Sequence, residues 1–314
     1  MSTSPPPPYR LITRSDFDGL VCAVLLTELG LIDDITFVHP KDMQDGKIEV
    51  SSRDISTNLP YVPGVHLAFD HHASETLRHG GERAANHIID PAAPSAARVV
   101  YDHYGGARTF PMVDPQMMTA VDQADSAQYS REDILEPRGW VLLNYLMDAR
   151  TGLGRFRDFR ISNYALMMEL IQFCRTHTIS DILGLPDVQE RVQLYVDHAE
   201  RAREQILRCS TVHDRLVVLD LRGEQTIWAT NRFMIYALFP QANISIHRLW
   251  GLKQQNTVFA TGKSILDRSS RTDIGQLMLE FGGGGHQAAG TCQVDNERAD
   301  EVLQTLIRRI NADG

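Results

Sequence analysis

Asp16 and Asp18 stand one residue apart, with Gly19 directly after them. Two carboxylates this close on a tight turn suit hard divalent cations, which prefer carboxylate oxygens, and a two-ion centre needs ligands that converge in this way. The same residues also suit a plain structural role, because an Asp at a helix N-terminus caps free N–H groups and favours the helix dipole. Asp70, His71 and His72 form a second group. In extended backbone neighbouring side chains point to opposite sides, so one imidazole can face a metal while the other faces a supporting group or a substrate phosphate. Asp122, with Asp125 three residues on, adds two carboxylates that share a face if the segment is helical. Either is able to complete a metal sphere, and both are equally able to sit in solvent. Last, residues 281–290 read FGGGGHQAAG. Glycines leave backbone N–H groups unshielded, which permits a concave anion nest with His286 as an added donor, although no Gly-Lys-Ser/Thr follows as in a Walker A loop.

These residues need a scaffold, and the pattern supplies one. The run YRLIT at 9–13 predicts a strand and LVCAVLLTEL at 20–29 a helix, which puts residues 15–19 on a strand-to-helix turn. Residues 35–38 and 66–69 predict two further buried strands, the second running straight into Asp70. Polar residues thus gather at strand C-terminal ends, the edge where open parallel α/β sheets bind ligands. Helical patterns follow from about 95 to 209, ending in a long amphipathic stretch over 187–209. Strands are then predicted at 215–220, 225–228, 242–250, 257–261 and 291–294, with helices at 231–239 and 299–310.

With 314 residues the chain exceeds one ordinary core and predicts two domains with a cleft between them. Apolar residues at 43% and charged residues at 23% are the balance of a globular protein. Cys22, Cys174, Cys209 and Cys292 are far apart and form no C-x-x-C, which argues against a zinc knuckle or a disulfide framework and for a reducing compartment. The first nine residues hold a run of prolines without the basic and apolar regions of a secretion signal, so they predict a disordered leader. No apolar run reaches the roughly 18 residues that span a bilayer, and a soluble, cytoplasmic protein without membrane contact is expected. A net charge of −9 argues against a channel for long nucleic acid, whose affinity comes from neutralising many phosphates, and for a small anionic substrate. Trp228 and Trp250 are expected in the core rather than as base-stacking platforms.

In chain order these motifs resemble those of the DHH/DHHA1 phosphoesterase family: a D-x-D turn, the D-H-H triplet, a later Asp and a C-terminal G-G-G-H. The likeness covers nearly the whole chain, and length and charge set it beside the small-substrate, nanoRNase and exopolyphosphatase-like members. The resemblance implies an α/β chain: an N-terminal parallel-sheet DHH domain over 10–186, a linker helix over 187–211, a smaller α/β DHHA1 domain over 212–314, and an active site in the interdomain cleft. It implies metal-dependent hydrolysis of a phosphodiester or phosphoanhydride in a short oligonucleotide, nucleotide or polyphosphate; the alternative is a catalytically degenerate binding protein of the same fold. It assigns Asp16 to one Mn²⁺ or Mg²⁺ and Asp18, His71 and Asp122 to the other. His72 would lie near the scissile phosphate, Asp70 behind it as an orienter, and Gly283, Gly284, Gly285, His286 and Arg268 at the non-reacting end of the substrate. Small two-domain members often pair, so the resemblance allows a homodimer and leaves the oligomeric state open.

Two positions depart from the family pattern. Arg14 stands where a His usually precedes the first Asp, and a guanidinium cannot ligate a cation. Asn58 stands where an Asp usually bridges two ions, and an amide brings no charge. Asp54 and His39 are the nearby candidates to substitute. One ion or two therefore both stay open, as does a site in which Arg14 clamps the phosphate in place of a cation.

Overall fold

A computed structural model describes residues 8–72, 84–156 and 158–314. The leader expected over residues 1–9 lies outside them except for Pro8 and Tyr9, and Tyr9 already opens the first strand. The chain forms two compact units. One takes Met1–Gln128, Arg138–Ala149 and Gly154–Val192, the other Tyr129–Pro137, Arg150–Leu153 and Gln193–Gly314. The division is not a single cut, because backbone groups of two short early segments are claimed by the second unit. Asn231 Nδ2 donates to Ile134 O at 2.9 Å, Arg203 donates to Leu135 O at 2.9 Å and Thr230 N to Thr151 O at 3.0 Å.

The first unit is built on five parallel strands: β1 (Tyr9–Arg14), β2 (Ile32–Val38), β3 (Asp54–Thr57), β4 (Leu67–Asp70) and β5 (His87–Ile89), ordered β2-β1-β3-β4-β5. Continuous burial of Leu11, Ile12 and Thr13 in β1 and of all four residues of β3 is what a parallel sheet covered on both faces demands. Helix α1 (Phe17–Glu28) is buried without a break from Phe17 to Leu26, hence its lack of a polar stripe. Helix α2 (Pro40–Gln44) follows β2, α3 (Ala96–His103) follows β5, and α4 (Pro115–Asp125) follows α3. Because the chain runs outward from β1 to β2 and then returns to β3 on the other side, the order reverses between β1 and β3, and the C-terminal edge there opens a crevice.

The second unit carries six strands ordered β10-β11-β9-β8-β7-β6: β6 (Ser210–His213), β7 (Leu216–Asp220), β8 (Ile244–Trp250), β9 (Thr257–Lys263), β10 (Gly284–His286) and β11 (Ala289–Val294). Only the β7–β8 pair is parallel. Its core joins Leu216, Val218, Ile244, Ile246 and Phe259 of the sheet to Ile274 and Met278 of a short helix and to Val302, Leu306 and Ile310 of the last one. A 24-residue helix, Pro186–Cys209, contributes its residues to Val192 to the first unit and the rest to the second.

Several local expectations change. Residues 225–228 are not a strand: Trp228 N donates instead to Gln205 Oε1 at 3.1 Å. Trp228 and Trp250 are half-buried rather than core, each beneath an arginine, Arg201 and Arg222. β3, β5, β6 and β10 had no clear strand pattern, being three or four residues long. Among the described residues no helix is long and apolar enough to cross a membrane.

Candidate active site

The turn after β1 is the first part of the site. Asp16 is the N-cap of α1, its Oδ1 accepting the Gly19 N–H at 3.0 Å, so the capping role open in the sequence is filled. Gly19 is required by proximity: a Cβ there would stand 1.9 Å from Arg14 O and 2.8 Å from Thr13 Oγ1. The bare backbone lets the helix start against the strand end, which draws Asp16 and Asp18 to the sheet edge. Across the edge, Asn58 follows β3 in a left-handed conformation with φ 55°, a region that Asn tolerates better than most residues. Its Nδ2 donates to Asp16 Oδ1 at 3.1 Å, while Arg14 Nε lies 2.9 Å from Asp16 Oδ2. The two residues that depart from the family pattern thus both grip Asp16, one on each oxygen.

Asp18 turns the other way and is 2% exposed. Its oxygens accept the N–H groups of Ala96, at 3.0 Å, and Ala97, at 2.7 Å, at the N-terminus of α3. His71 leaves β4 with Nδ1 3.3 Å from Ala93 O, a contact that favours the Nδ1–H tautomer and frees Nε2 as a metal ligand. Nε2 lies 2.8 Å from Asp125 Oδ2 but is not aligned for a hydrogen bond. One ligand atom each from Asp18, His71 and Asp125 lies within 4.8 Å of the others. Burial, then the charges of Asp125 and Asp16, push the Asp18 carboxyl well above its usual range. Burial also acts on Asp125, but His71 outweighs it and lowers that carboxyl. One buried and one half-buried carboxylate around an unaligned ring nitrogen are what a divalent cation would satisfy, so the donor set fits Mn²⁺ or Mg²⁺.

Asp70 is 1% exposed, and its Oδ1 accepts the His71 N–H at 2.8 Å and the His72 N–H at 3.3 Å and lies 2.7 Å from His72 Nδ1. It therefore fixes the His72 ring through Nδ1, and the side chain stays 37% exposed. Asp122, expected as a ligand, points elsewhere. Its Oδ1 accepts from Ser95 Oγ at 2.7 Å, and its Oδ2 from Arg98 Nε at 3.0 Å and Nη2 at 2.5 Å. Asp125, one helical turn on, occupies the place against His71. Spacing in the sequence showed the two as one face; only side-chain contacts separate them. Neither substitute candidate joins the cluster. Asp54 begins β3 at the far end of the strand and is paired with Arg10 at 2.8 Å, and His39 caps α2 through the Lys41 N–H at 3.1 Å.

In the second unit the glycine run is chiefly a packing device. Gly282 N–H and Gly283 N–H bond the carbonyls of Leu279, at 3.0 Å, and Met278, at 2.9 Å, closing the helix Ile274–Leu279, so these two amides do not form the open nest the sequence suggested. Gly284, Gly285 and His286 pair with β11. A Cβ at Gly283 would stand 2.1 Å from Thr291 O and one at Gly285 2.3 Å from Ala289 O, whereas Gly284 has no neighbour nearer than 4.0 Å. His286 and Arg268 are exposed.

No family model matches the chain. The pGpG-specific phosphodiesterase PggH of Vibrio cholerae is 63% identical, with a TM-score of 0.88 over 98% of this chain and 100% of that one. CDC45 of Entamoeba histolytica, 9% identical with a TM-score of 0.54 over 97% of this chain and 95% of that one, shares the fold. So does RecJ of Thermus thermophilus in complex with Mn²⁺, 11% identical with a TM-score of 0.50 over 96% of this chain and 52% of that one. An A-adding tRNA nucleotidyltransferase of Aquifex aeolicus is 28% identical over 116 residues, so the chain spans 14% of that relative's length. The motif order from Asp16 to His286, carried on a parallel sheet with a second sheet and matched along its length by PggH, makes this chain a member of the DHH/DHHA1 family of phosphoesterases.

Proposed function

We propose that this protein hydrolyses the phosphodiester bond of short linear dinucleotides such as pGpG, with a single Mn²⁺ or Mg²⁺ held by Asp18, His71 and Asp125. Identity of 63% to PggH along the whole chain supports the substrate. Support for one ion rests on Asp16, whose carboxylate already has Gly19 N–H and Asn58 Nδ2 on one oxygen and Arg14 on the other. A second dication would have to displace a guanidinium and face an amide instead of a bridging carboxylate.

A bound divalent cation supplies Lewis-acid chemistry to the phosphoryl group. The protein's own groups do the rest. Arg14, whose side chain is 38% exposed, offers fixed positive charge to a phosphate oxygen while Asp16 orients it. His72, held through Nδ1 by Asp70, presents Nε2 to the scissile group, where it can donate to an oxygen or carry a proton. Exposed His286 and Arg268, together with Gly284 and Gly285, are the second unit's candidates to bind the non-reacting end of the dinucleotide. Four free cysteines support a reducing, cytoplasmic setting.

The test is a hydrolysis panel with Mn²⁺ and Mg²⁺ over pGpG, a cyclic dinucleotide, 3′-phosphoadenosine phosphate and polyphosphate. Conversion of pGpG to mononucleotides in preference to the other three is expected. Turnover of polyphosphate or 3′-phosphoadenosine phosphate with pGpG left intact would overturn the assignment.

A further inference from the structure

Asp122 sits one helical turn before Asp125 on α4, yet its carboxylate is spent on α3. Ser95 is the N-cap of α3: its Oγ accepts the Arg98 N–H at 3.0 Å and donates to Asp122 Oδ1 at 2.7 Å. Arg98, on the first turn, closes the other side by a two-nitrogen fork on Asp122 Oδ2. The same first turn supplies the Ala96 and Ala97 amides that hold both oxygens of Asp18. Two carboxylates of the metal cluster therefore arrive by different routes. Asp125 comes directly from α4, and the orientation of Asp18 is set by α3. The Asp122 clamp ties α3 to α4 through side chains.

We propose that Asp122 is a positioning residue for the metal centre: through Ser95 and Arg98 it anchors the N-terminus of α3 and so sets the separation and orientation of Asp18 relative to Asp125. This rests on Asp18, His71 and Asp125 as the metal ligands. A carboxylate neutralised by a guanidinium fork and a hydroxyl is a poor ligand itself, but supporting groups of this kind commonly tune metal affinity about 10–100-fold.

The experiment is calorimetric titration of the full chain with Mn²⁺, each variant first checked for folding by circular dichroism. Asp122→Asn, Arg98→Gln and Ser95→Ala are expected to weaken Mn²⁺ binding about tenfold or more with the stoichiometry unchanged, and Ser95→Thr, which keeps the hydroxyl, to bind as the wild type. Arg98→Gln is decisive. If Asp122 were a ligand held back by its arginine, this change would release it and tighten binding, which would overturn the proposal, and the same variant carries the test should Asp122→Asn not fold. Wild-type affinity in both Asp122→Asn and Arg98→Gln, while His71→Ala no longer binds, would sink the proposal and leave the metal centre standing. No Mn²⁺ binding by the wild type would remove both.

Discussion

At Asp16 the proposal of a single ion rests on two neighbours, Arg14 and Asn58, that hold the carboxylate by its two oxygens. An aspartate at position 58 would set a second carboxylate against Asp16, and that arrangement is stable only with a cation between them. Asn58 turns the repulsion into a hydrogen bond at 3.1 Å, and Arg14 supplies the charge. Arg14→His combined with Asn58→Asp should therefore raise the Mn²⁺ content from one ion per chain to two, by elemental analysis after dialysis; unchanged content would refute the account. His71→Ala or Asp125→Ala should abolish both metal binding and hydrolysis. Proton linkage gives a further check. Burial disfavours a charged His71, but Asp125, with Asp18 and Asp70, prevails and raises its pKa from 6.5 to about 9 in the ion-free protein. The folded pKa lies above the unfolded one, so this contribution to ion-free stability is complete below pH 6.5 and is lost as pH rises through about 9. Metal binding has the opposite sign, because the ligand is neutral imidazole and the proton must leave. Mn²⁺ affinity should climb with pH toward 9, with at least one proton released per ion near neutrality. Calorimetry in two buffers of different ionisation enthalpy measures this directly, and equal heats in both would contradict it.

Glycines at two junctions decide how elements meet. At the β1–α1 turn any Cβ on residue 19 collides with Arg14 O, so Gly19→Ala must pry the helix from the strand. Overpacking of this kind costs about 1–3 kcal/mol, readable by denaturant unfolding, and it should also impair hydrolysis because Asp16 and Asp18 shift with the helix. In the β10 hairpin the glycines divide by role. Gly283→Ala and Gly285→Ala meet backbone at 2.1 and 2.3 Å and should lower stability, whereas Gly284→Ala only touches Leu279 Cδ2, at 4.0 Å, and should leave it unchanged. A raised KM in Gly284→Ala at wild-type stability would mark substrate contact there. A KM equal to the wild type would remove Gly284 from the binding surface.

For the whole molecule the charge of −9 disfavours long polyanions as ligands. A chain repelled overall by polyanions gains little from counterion release, so dinucleotide affinity should fall only gently with salt. The slope of log K on log salt should be far shallower than that of a protein that neutralises many phosphates of a strand. A steep slope, or tighter binding of long single strands than of a dinucleotide, would show a basic groove that the net charge conceals.

By itself the sequence determined the class of scaffold and the places where chemistry gathers, because these depend on local pattern. Apolar runs end in polar residues near Asp16 and at Asp70, and the long amphipathic stretch over 187–209 has helical spacing. It also exposed the two departures, Arg14 and Asn58, since identity at a position needs no coordinates. What it could not separate were residues that share a face or a motif. Asp122 and Asp125 are equivalent by spacing, and only tertiary contacts send one to Arg98 and the other to His71. The glycine run looks open in one dimension, yet β11 and the helix before it use the first two amides and crowd two of the α-carbons. The short strands β3 and β5 are too brief to carry a pattern and exist because their neighbours supply the hydrogen bonds. The tertiary structure alone decided that Arg14 and Asn58 close on the same carboxylate, because they come from different strands that meet only where the sheet order reverses.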